Sequence, residues 1–267
     1  MTESILAPDA ELAAAALQMS DGQAKPLGAL GELETLGAWL ASCQGICPPR
    51  QLDDVRVVVF AGDHGIAASG VSAYPAAITP AMVRGIAAGV AGVSALARAN
   101  RVSVTLYDLG VAEDFADLDP EIGRFKIRRG SGSIDIEDAL SATEVEAALA
   151  AGDTIAAEAV AGGAQLLIAG DLGIGNTTVA AALIAATYGL PAAAVTGRGT
   201  GIDDAALAHK TAMIDAAFSE LRDRQVQQLI LDLRGNQGGE PKSAKRLLAH
   251  LLHVPFELVH KGPASGR

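Results

Sequence analysis

A glycine-rich turn between an apolar strand and a helix is the first stretch whose residues could do chemistry. Residues 168–186 read IAGDLGIGNTTVAAALIAA, with glycines at 170, 173 and 175 and with Asn176, Thr177 and Thr178 at the start of an alanine-rich run. Glycine lets the backbone approach a ligand closely, and the amides at a helix start carry a partial positive charge. The pattern therefore predicts an anion held by exposed main-chain N–H groups between residues 173 and 178. The alternative is a glycine turn followed by an ordinary helix cap.

Two polar segments follow an earlier apolar run in FAGDHGIAASGVSAYP. Asp63 and His64 stand at the end of a predicted strand, where a buried carboxylate and imidazole need hydrogen-bond partners. An isolated Asp-His pair favours a structural role over acid–base work, so we expect both residues to form hydrogen bonds that hold the ligand-contacting residues in place. The Ser72-Ala73-Tyr74-Pro75 segment is either one wall of an apolar pocket or a surface turn.

A third polar segment, TGRGTGIDDAALAHK, covers residues 196–210. Glycines at 197, 199 and 201 leave its backbone open, and Asp203 is placed to cap the helix that follows. Lys210 lies two turns along this helix, where its ammonium can reach a phosphate as a point charge. A solvated helix lysine is the alternative.

Apolar strands that alternate with helices must position these segments. We predict strands at 55–60, 102–110 and 165–171, and helices at 9–20, 33–42, 80–98, 140–161, 177–188 and 203–221, with 192–199 as a strand or loop. The arrangement Ser141-x-x-Glu144 predicts a capping box on the long helix. Alternating strands and helices are typical of a parallel α/β sheet, whose ligands bind beyond the carboxyl ends of the strands. The polar segments are therefore expected to share one pocket.

Composition limits the class of protein and of partner. The 267 residues are 50% hydrophobic, enough for one large core or for one core with a smaller lobe. A formal net charge of -11 argues against a nucleic-acid partner. The amino-terminal residues do not resemble a secretory signal, and Gly, Asp or Arg interrupts the apolar runs. Cys43 and Cys47 favour a reduced pair over a metal site. We therefore expect a cytoplasmic protein without a membrane, metal or nucleic-acid partner.

Four segments together resemble one known family. KPLGALGELETL, VVVFAGDHGIAASGVSAYPAAITPAMV, AGDLGIGNTTVAAALIA and TGRGTGIDDAALAHK occur in this order between about Leu17 and Arg222. They closely resemble the nicotinate-nucleotide–dimethylbenzimidazole phosphoribosyltransferases of cobalamin lower-ligand biosynthesis. The resemblance implies a Rossmann-like three-layer α/β/α fold with a parallel sheet and a smaller helical lobe. The expected domains are an N-terminal helical lobe (1–48), an α/β nucleotide-binding core (49–222) and an atypical tail (223–267).

The resemblance also implies a reaction and its residues. Family members transfer the phosphoribosyl group of nicotinate mononucleotide to 5,6-dimethylbenzimidazole, giving α-ribazole 5′-phosphate and nicotinate, as homodimers without a cofactor. Asp171 stands where the family has an acidic residue near the nucleotide. The residues matched to the phosphoribosyl end are Gly173, Gly175, Asn176, Thr177 and Lys210. Those matched to the benzimidazole pocket are Ser72, Tyr74 and Pro75.

The tail departs from this family. The family's general-base glutamate lies in a downstream R-L-G-E-G-type motif that we do not find, so the catalytic residue stays unknown. Residues 226–252 instead predict a strand, a turn and a helix, and resemble a fragment of the tail-specific protease family without a usable nucleophile–lysine pair, since Ser243 and Lys245 are only two apart. Glu240 and Glu257 are the local carboxylates in the tail. The alternative function is a truncated or chimeric homologue that binds nucleotide without turnover.

Overall fold

The computed structural model of the chain describes residues 7–223, and for residues 218–223 it describes the backbone alone. The chain divides into two compact units, Met1–Asp53 and Asp54–Arg267. The predicted strand, turn and helix of the tail lie outside the described residues. So do Glu240, Ser243, Lys245 and Glu257.

The first unit is a pair of helices, α1 (Ala10–Asp21) and α2 (Glu32–Gln44). The Asp9 side chain caps α1 by accepting hydrogen bonds from the Glu11 and Leu12 amides at 2.9 and 3.2 Å. Three buried alanines, at 16, 38 and 41, form the contact between the helices. These small side chains let the two helices pack closely, as the low aromatic content of the sequence suggests.

The second unit is built on a three-stranded parallel sheet in the order β2-β1-β3. Its strands are β1 (Val55–Gly62), β2 (Ser103–Gly110) and β3 (Leu166–Leu172). Val57, Val58 and Val59 are all buried, so the central strand is covered on both faces, as the run VRVVVF predicts. Helices lie on both sides of this sheet. The predicted α/β class with a parallel sheet is therefore confirmed.

Between Asp54 and Asp223 six α-helices accompany the sheet: α3 (Ile78–Ala87), α4 (Gly92–Ala99), α5 (Ala142–Ala161), α6 (Asn176–Tyr188), α7 (Ala192–Val195) and α8 (Asp204–Asp223). Val83 and Ile86 of α3 join Val57 and Val59 of β1 in the main hydrophobic core. The Ser141–Glu144 capping box of α5 is present, as predicted. Asp203 caps α8 by accepting a hydrogen bond from the Ala206 amide at 2.8 Å.

Two predicted elements are wrong. The single helix predicted at 80–98 is two helices, because α3 ends at Ala87 and α4 begins at Gly92. Gly89 has a φ of 74° between them, and the Gly85 carbonyl accepts hydrogen bonds from the amides of residues 90 and 91. The stretch 192–199, predicted as a strand or loop, begins with the short helix α7. The Thr196 amide donates a hydrogen bond to the Ala192 carbonyl at the end of this helix.

The α3–α4 region also corrects the expectation about apolar runs. By length and composition the 22 residues of Ile78–Ala99 are apolar enough to cross a membrane. Core helices can have the same length and apolar composition. The region is divided into helices of 10 and 8 residues, each shorter than the ~20 residues that span a bilayer. Two of its side chains, Val83 and Ile86, lie in the core.

Candidate functional site

The ends of β1 and β3 meet at Gly173, the first residue after β3. A Cβ atom at this position would lie 2.1 Å from the Gly62 carbonyl oxygen and 2.9 Å from two atoms of the His64 ring. Only glycine permits so close an approach. The carboxyl ends of two parallel strands therefore come together where ligands of α/β sheets bind.

Four main-chain amides of the glycine turn are already hydrogen-bonded within the protein. The amides of residues 174, 176, 177 and 178 donate to Thr79 Oγ1, the Gly173 carbonyl, Asn176 Oδ1 and the Gly175 carbonyl at 2.8–3.1 Å. Gly173, Gly175 and Thr178 are buried. The expectation that exposed amides of this turn hold an anion is therefore wrong for these four groups. The turn shapes the site, and side chains must supply the charge.

Lys210 supplies a buried positive charge next to this turn. It is 1% exposed, and its Nζ donates hydrogen bonds to Thr177 Oγ1 at 2.7 Å and to the Gly197 carbonyl at 3.2 Å. Burial lowers the pKa of Lys210. Over residues 7–217 no carboxylate oxygen lies within 4.0 Å of this ammonium. Two neutral acceptors compensate a buried cation poorly, so the arrangement favours an anionic ligand and rules out the solvated helix lysine.

The glycine loop before α8 closes over this lysine. Gly199 has a φ of 49°, and a Cβ atom on it would lie 2.9 Å from Thr177 Oγ1 and 3.2 Å from Lys210 Nζ. A side chain at this position would therefore collide with the polar atoms of the site. The open backbone predicted for this segment is what lets it reach Lys210.

Asp171, Asn176 and His64 form the second polar group at the strand ends. Asn176 Nδ2 donates a hydrogen bond to Asp171 Oδ2 at 2.8 Å. Burial raises the pKa of Asp171, against the opposing effects of the Asn176 hydrogen bond and of His64. Burial also lowers the pKa of His64, although Asp171 and Asp63 act in the other direction. A carboxyl that is harder to ionise thus interacts electrostatically with an imidazole that is harder to protonate, and groups with such shifted pKa values are common at functional sites.

Asp63 fastens the end of β1 to the end of β2. Its amide donates to the Gly110 carbonyl at 2.9 Å, and its Oδ2 accepts a hydrogen bond from the Ala112 amide at 2.9 Å. Its Oδ1 is buried without a hydrogen-bond partner among the described residues. These contacts support the structural role that the sequence suggests for Asp63.

The Ser72–Pro75 segment lies against the glycine loop. Ser72 Oγ is 3.1 Å from Thr200 Oγ1, and the Ala73 amide donates to the same Thr200 oxygen at 2.9 Å. The Tyr74 amide in turn donates to Ser72 Oγ at 3.2 Å, and Tyr74 as a residue is 54% exposed. The segments matched to the base and to the phosphate are therefore neighbours.

Two threonines that join these segments were not predicted. Thr200 bonds to the Ser72 segment, and the fully buried Thr79 accepts the Ile174 amide of the glycine turn at 3.1 Å. The sequence feature that could have identified Thr200 is a hydroxyl side chain between two glycines of the loop. Thr79 gave no signal, because its partner lies 95 residues away.

Comparisons with known proteins identify relatives of this chain. A family model described as phosphoribosyltransferase matches residues 5–239. A relative from Mycolicibacterium paratuberculosis, named nicotinate-nucleotide–dimethylbenzimidazole phosphoribosyltransferase, is 54% identical over 216 residues, which are 80% of this chain and 61% of the relative. The relative of the same name from Mycobacterium tuberculosis is 54% identical over 215 residues, covering 80% of this chain and 59% of that one.

A solved structure of CobT from Thermus thermophilus has the same fold over the matched region. It superimposes with a TM-score of 0.72 at 43% sequence identity and covers 79% of this chain and 63% of its own. The chain thus spans about three-fifths of the length of the relatives that it matches. The family match nevertheless extends over most of the chain. The chain therefore belongs to the phosphoribosyltransferase family, and over the matched region it is similar to the nicotinate-nucleotide–dimethylbenzimidazole phosphoribosyltransferases.

Proposed function

We propose that this chain binds nicotinate mononucleotide and transfers its phosphoribosyl group to 5,6-dimethylbenzimidazole. The observation that carries the proposal is the buried Lys210 ammonium, which donates to Thr177 Oγ1 at 2.7 Å beside the glycine turn. A phosphate monoester supplies the anionic oxygens that such a cation favours. The names of the relatives support the choice of substrates.

The chemistry assigns a role to each end of the site. A ring nitrogen of the benzimidazole forms a bond to the anomeric carbon of the ribose as the bond to nicotinate breaks, and the bonding pair leaves with the pyridine nitrogen. Positive charge develops on the ribose during this exchange, and a nearby carboxylate stabilises it. Asp171 fills this role in the proposal, Lys210 and Thr177 hold the phosphate, and Ser72, Tyr74 and Pro75 line the base.

The reaction also needs a proton acceptor, because the attacking benzimidazole loses its ring N–H proton. The family's glutamate motif is not found in these 267 residues, and nucleotide binding without turnover is the alternative to be tested. Asp171 and His64 are titratable groups at the strand ends within the described part of the chain. Glu240 and Glu257 of the tail lie outside it.

Two measurements on the purified chain test the proposal. Calorimetric titration with nicotinate mononucleotide measures binding, and chromatography of a reaction with both substrates measures nicotinate and α-ribazole phosphate. Binding with product formation supports the transferase, and binding without product supports the alternative. A folded chain that binds no nucleotide contradicts both.

The proposal extends to assembly and location. We propose a cytoplasmic homodimer without a nucleic-acid or membrane partner. The net charge of -11 supports the exclusion of nucleic acid. Sedimentation equilibrium measures the oligomeric state, and a monomer at all concentrations would contradict the dimer.

A further inference from the structure

We propose that Thr200 is a positioning residue that couples the phosphate end of the site to the base end. This inference rests on the proposed function and adds to it that the two substrates bind cooperatively. Thr200 lies in the loop that closes over Lys210, and its hydroxyl contacts the segment matched to the benzimidazole pocket.

At the phosphate end, the loop is bonded directly to the buried cation. The Gly197 carbonyl accepts a hydrogen bond from Lys210 Nζ at 3.2 Å, and Gly199 packs against Thr177 Oγ1 and Lys210 Nζ. An anion that binds Lys210 competes with the Gly197 carbonyl for the ammonium protons. Anion binding therefore changes the forces on the loop at Gly197 and Gly199, three residues and one residue before Thr200.

At the base end, one hydroxyl contacts two groups of the neighbouring segment. Thr200 Oγ1 is 3.1 Å from Ser72 Oγ and 2.9 Å from the Ala73 amide nitrogen. Ser72 Oγ in turn accepts a hydrogen bond from the Tyr74 amide. The path from the cation to Tyr74 thus consists of hydrogen bonds and four consecutive loop residues. A shift of the loop moves the segment that carries Tyr74.

Thr200 lies in a tight turn. Gly199 and Gly201 flank it with φ values of 49° and 86°, the Gly201 amide donates to the Arg198 carbonyl at 3.0 Å, and Arg198 Nη1 donates to the Ile202 carbonyl at 2.8 Å. The far side of the Ser72 segment is fixed, because Thr79 of α3 is fully buried and accepts the Ile174 amide of the glycine turn. A second bond, from His209 Nε2 to the Ser69 carbonyl at 2.6 Å, holds the start of the segment to α8. Thr200 therefore sets the position of the residues between these two fixed points.

In this proposal the two substrates strengthen each other's binding, and because coupling is reciprocal, each must do so by the same factor. The test compares T200V, which removes the hydroxyl while keeping the shape, with T200S, which restores it. T154V is the matched control, since Thr154 is also exposed and its hydroxyl donates to the Ala150 carbonyl of α5 at 2.8 Å, its one hydrogen bond among the described residues.

The first readout is hydrogen exchange at the Ala73 amide without ligand. We expect T200V to accelerate exchange of this amide, T200S to leave it near the wild-type rate, and T154V to have no effect. Unchanged exchange in T200V overturns the inference, because the hydroxyl would then not hold the segment.

The second readout is the calorimetric dissociation constant of dimethylbenzimidazole, with and without saturating nicotinate mononucleotide. We expect the nucleotide to tighten base binding about fivefold or more in the wild type, T200S and T154V, and to change it less than about twofold in T200V. S72A removes the contact with Ser72 Oγ and keeps the Ala73 bond to Thr200, so it should reduce the coupling less than T200V does.

The outcomes separate the two proposals. Substrates that bind the wild type independently, or a T200V variant that keeps the full coupling, overturn the role of Thr200 and leave the proposed function standing. A folded wild type that binds no nucleotide overturns both.

Discussion

Gly173→Ala should destabilise the protein strongly, because the added methyl has no space. A Cβ atom at residue 173 lies 2.1 Å from the Gly62 carbonyl oxygen, whereas ordinary van der Waals contacts are 3.4–4 Å. The two atoms must separate by more than 1 Å, and the carbonyl belongs to the last residue of β1, which pairs with Gly110 of β2. Overpacking typically costs 1–3 kcal/mol, and the backbone obstacle places this site at about 3 kcal/mol or more. That cost is a ~100-fold change in the folding equilibrium.

Urea unfolding followed by circular dichroism measures this cost, and Gly85→Ala is the matched control. Gly85 lies inside α3 of the same unit, and its added methyl would meet only a Val90 methyl at 3.9 Å. Alanine is the better helix former by about 0.5–1 kcal/mol, so this variant should gain stability. The same substitution thus has opposite signs at the two sites. If Gly173→Ala unfolds at the wild-type urea concentration, the close contact of the strand ends is incorrect.

Three further predictions concern charge and capping. Lys210→Met should weaken nicotinate mononucleotide binding by calorimetry about 10–100-fold, since hydrogen bonds to charged groups contribute about 1.5–3 kcal/mol; wild-type affinity would contradict the anion site. His64→Gln should reduce the fall in the free energy of unfolding between about pH 7 and pH 5. Burial lowers the pKa of His64, so below pH 6.5 the imidazole takes up a proton in the unfolded state but not in the folded state, which destabilises the wild type. An unchanged slope would show that other groups cause the decline. Ser141→Ala should lower the free energy of unfolding by about 1 kcal/mol, because it removes the Ser141 hydroxyl from the α5 capping box. A loss below about 0.3 kcal/mol would indicate that the Glu144 side chain alone stabilises this helix end.

Local patterns predict the elements whose cause is local. Three consecutive valines, which are buried in the structure, predict β1. Ser141 with Glu144 predicts the start of α5. In both cases the residues that carry the signal lie within a few positions of each other in the sequence. The division of the helix at Gly89 is harder to predict, since its apolar neighbours continue the helical pattern on both sides. Here a left-handed glycine and the burial of Val83 and Ile86 decide where α3 ends.

The site shows the same division between local and distant causes. Sequence motifs identify the glycine turn and Lys210, and the structure brings Lys210 to Thr177. They do not reveal how the turn's amides are satisfied, because the partner of Ile174 is a threonine 95 residues earlier. The contact between Thr200 and Ser72 joins residues 128 apart and is equally invisible to pattern analysis. A motif thus indicates which groups matter, and tertiary packing decides whether an amide or a side chain faces the ligand.

The burial of Lys210 links the thermal behaviour of this protein to its ligand. Folding removes the ammonium from water and gives it two uncharged acceptors, so a phosphate compound that pairs with it restores favourable electrostatics to the native state alone. By mass action, a ligand present at 100 times its dissociation constant adds about 2.7 kcal/mol to the free energy of unfolding. The melting temperature should therefore rank mononucleotides by affinity, and phosphate in a storage buffer should protect the protein from heat.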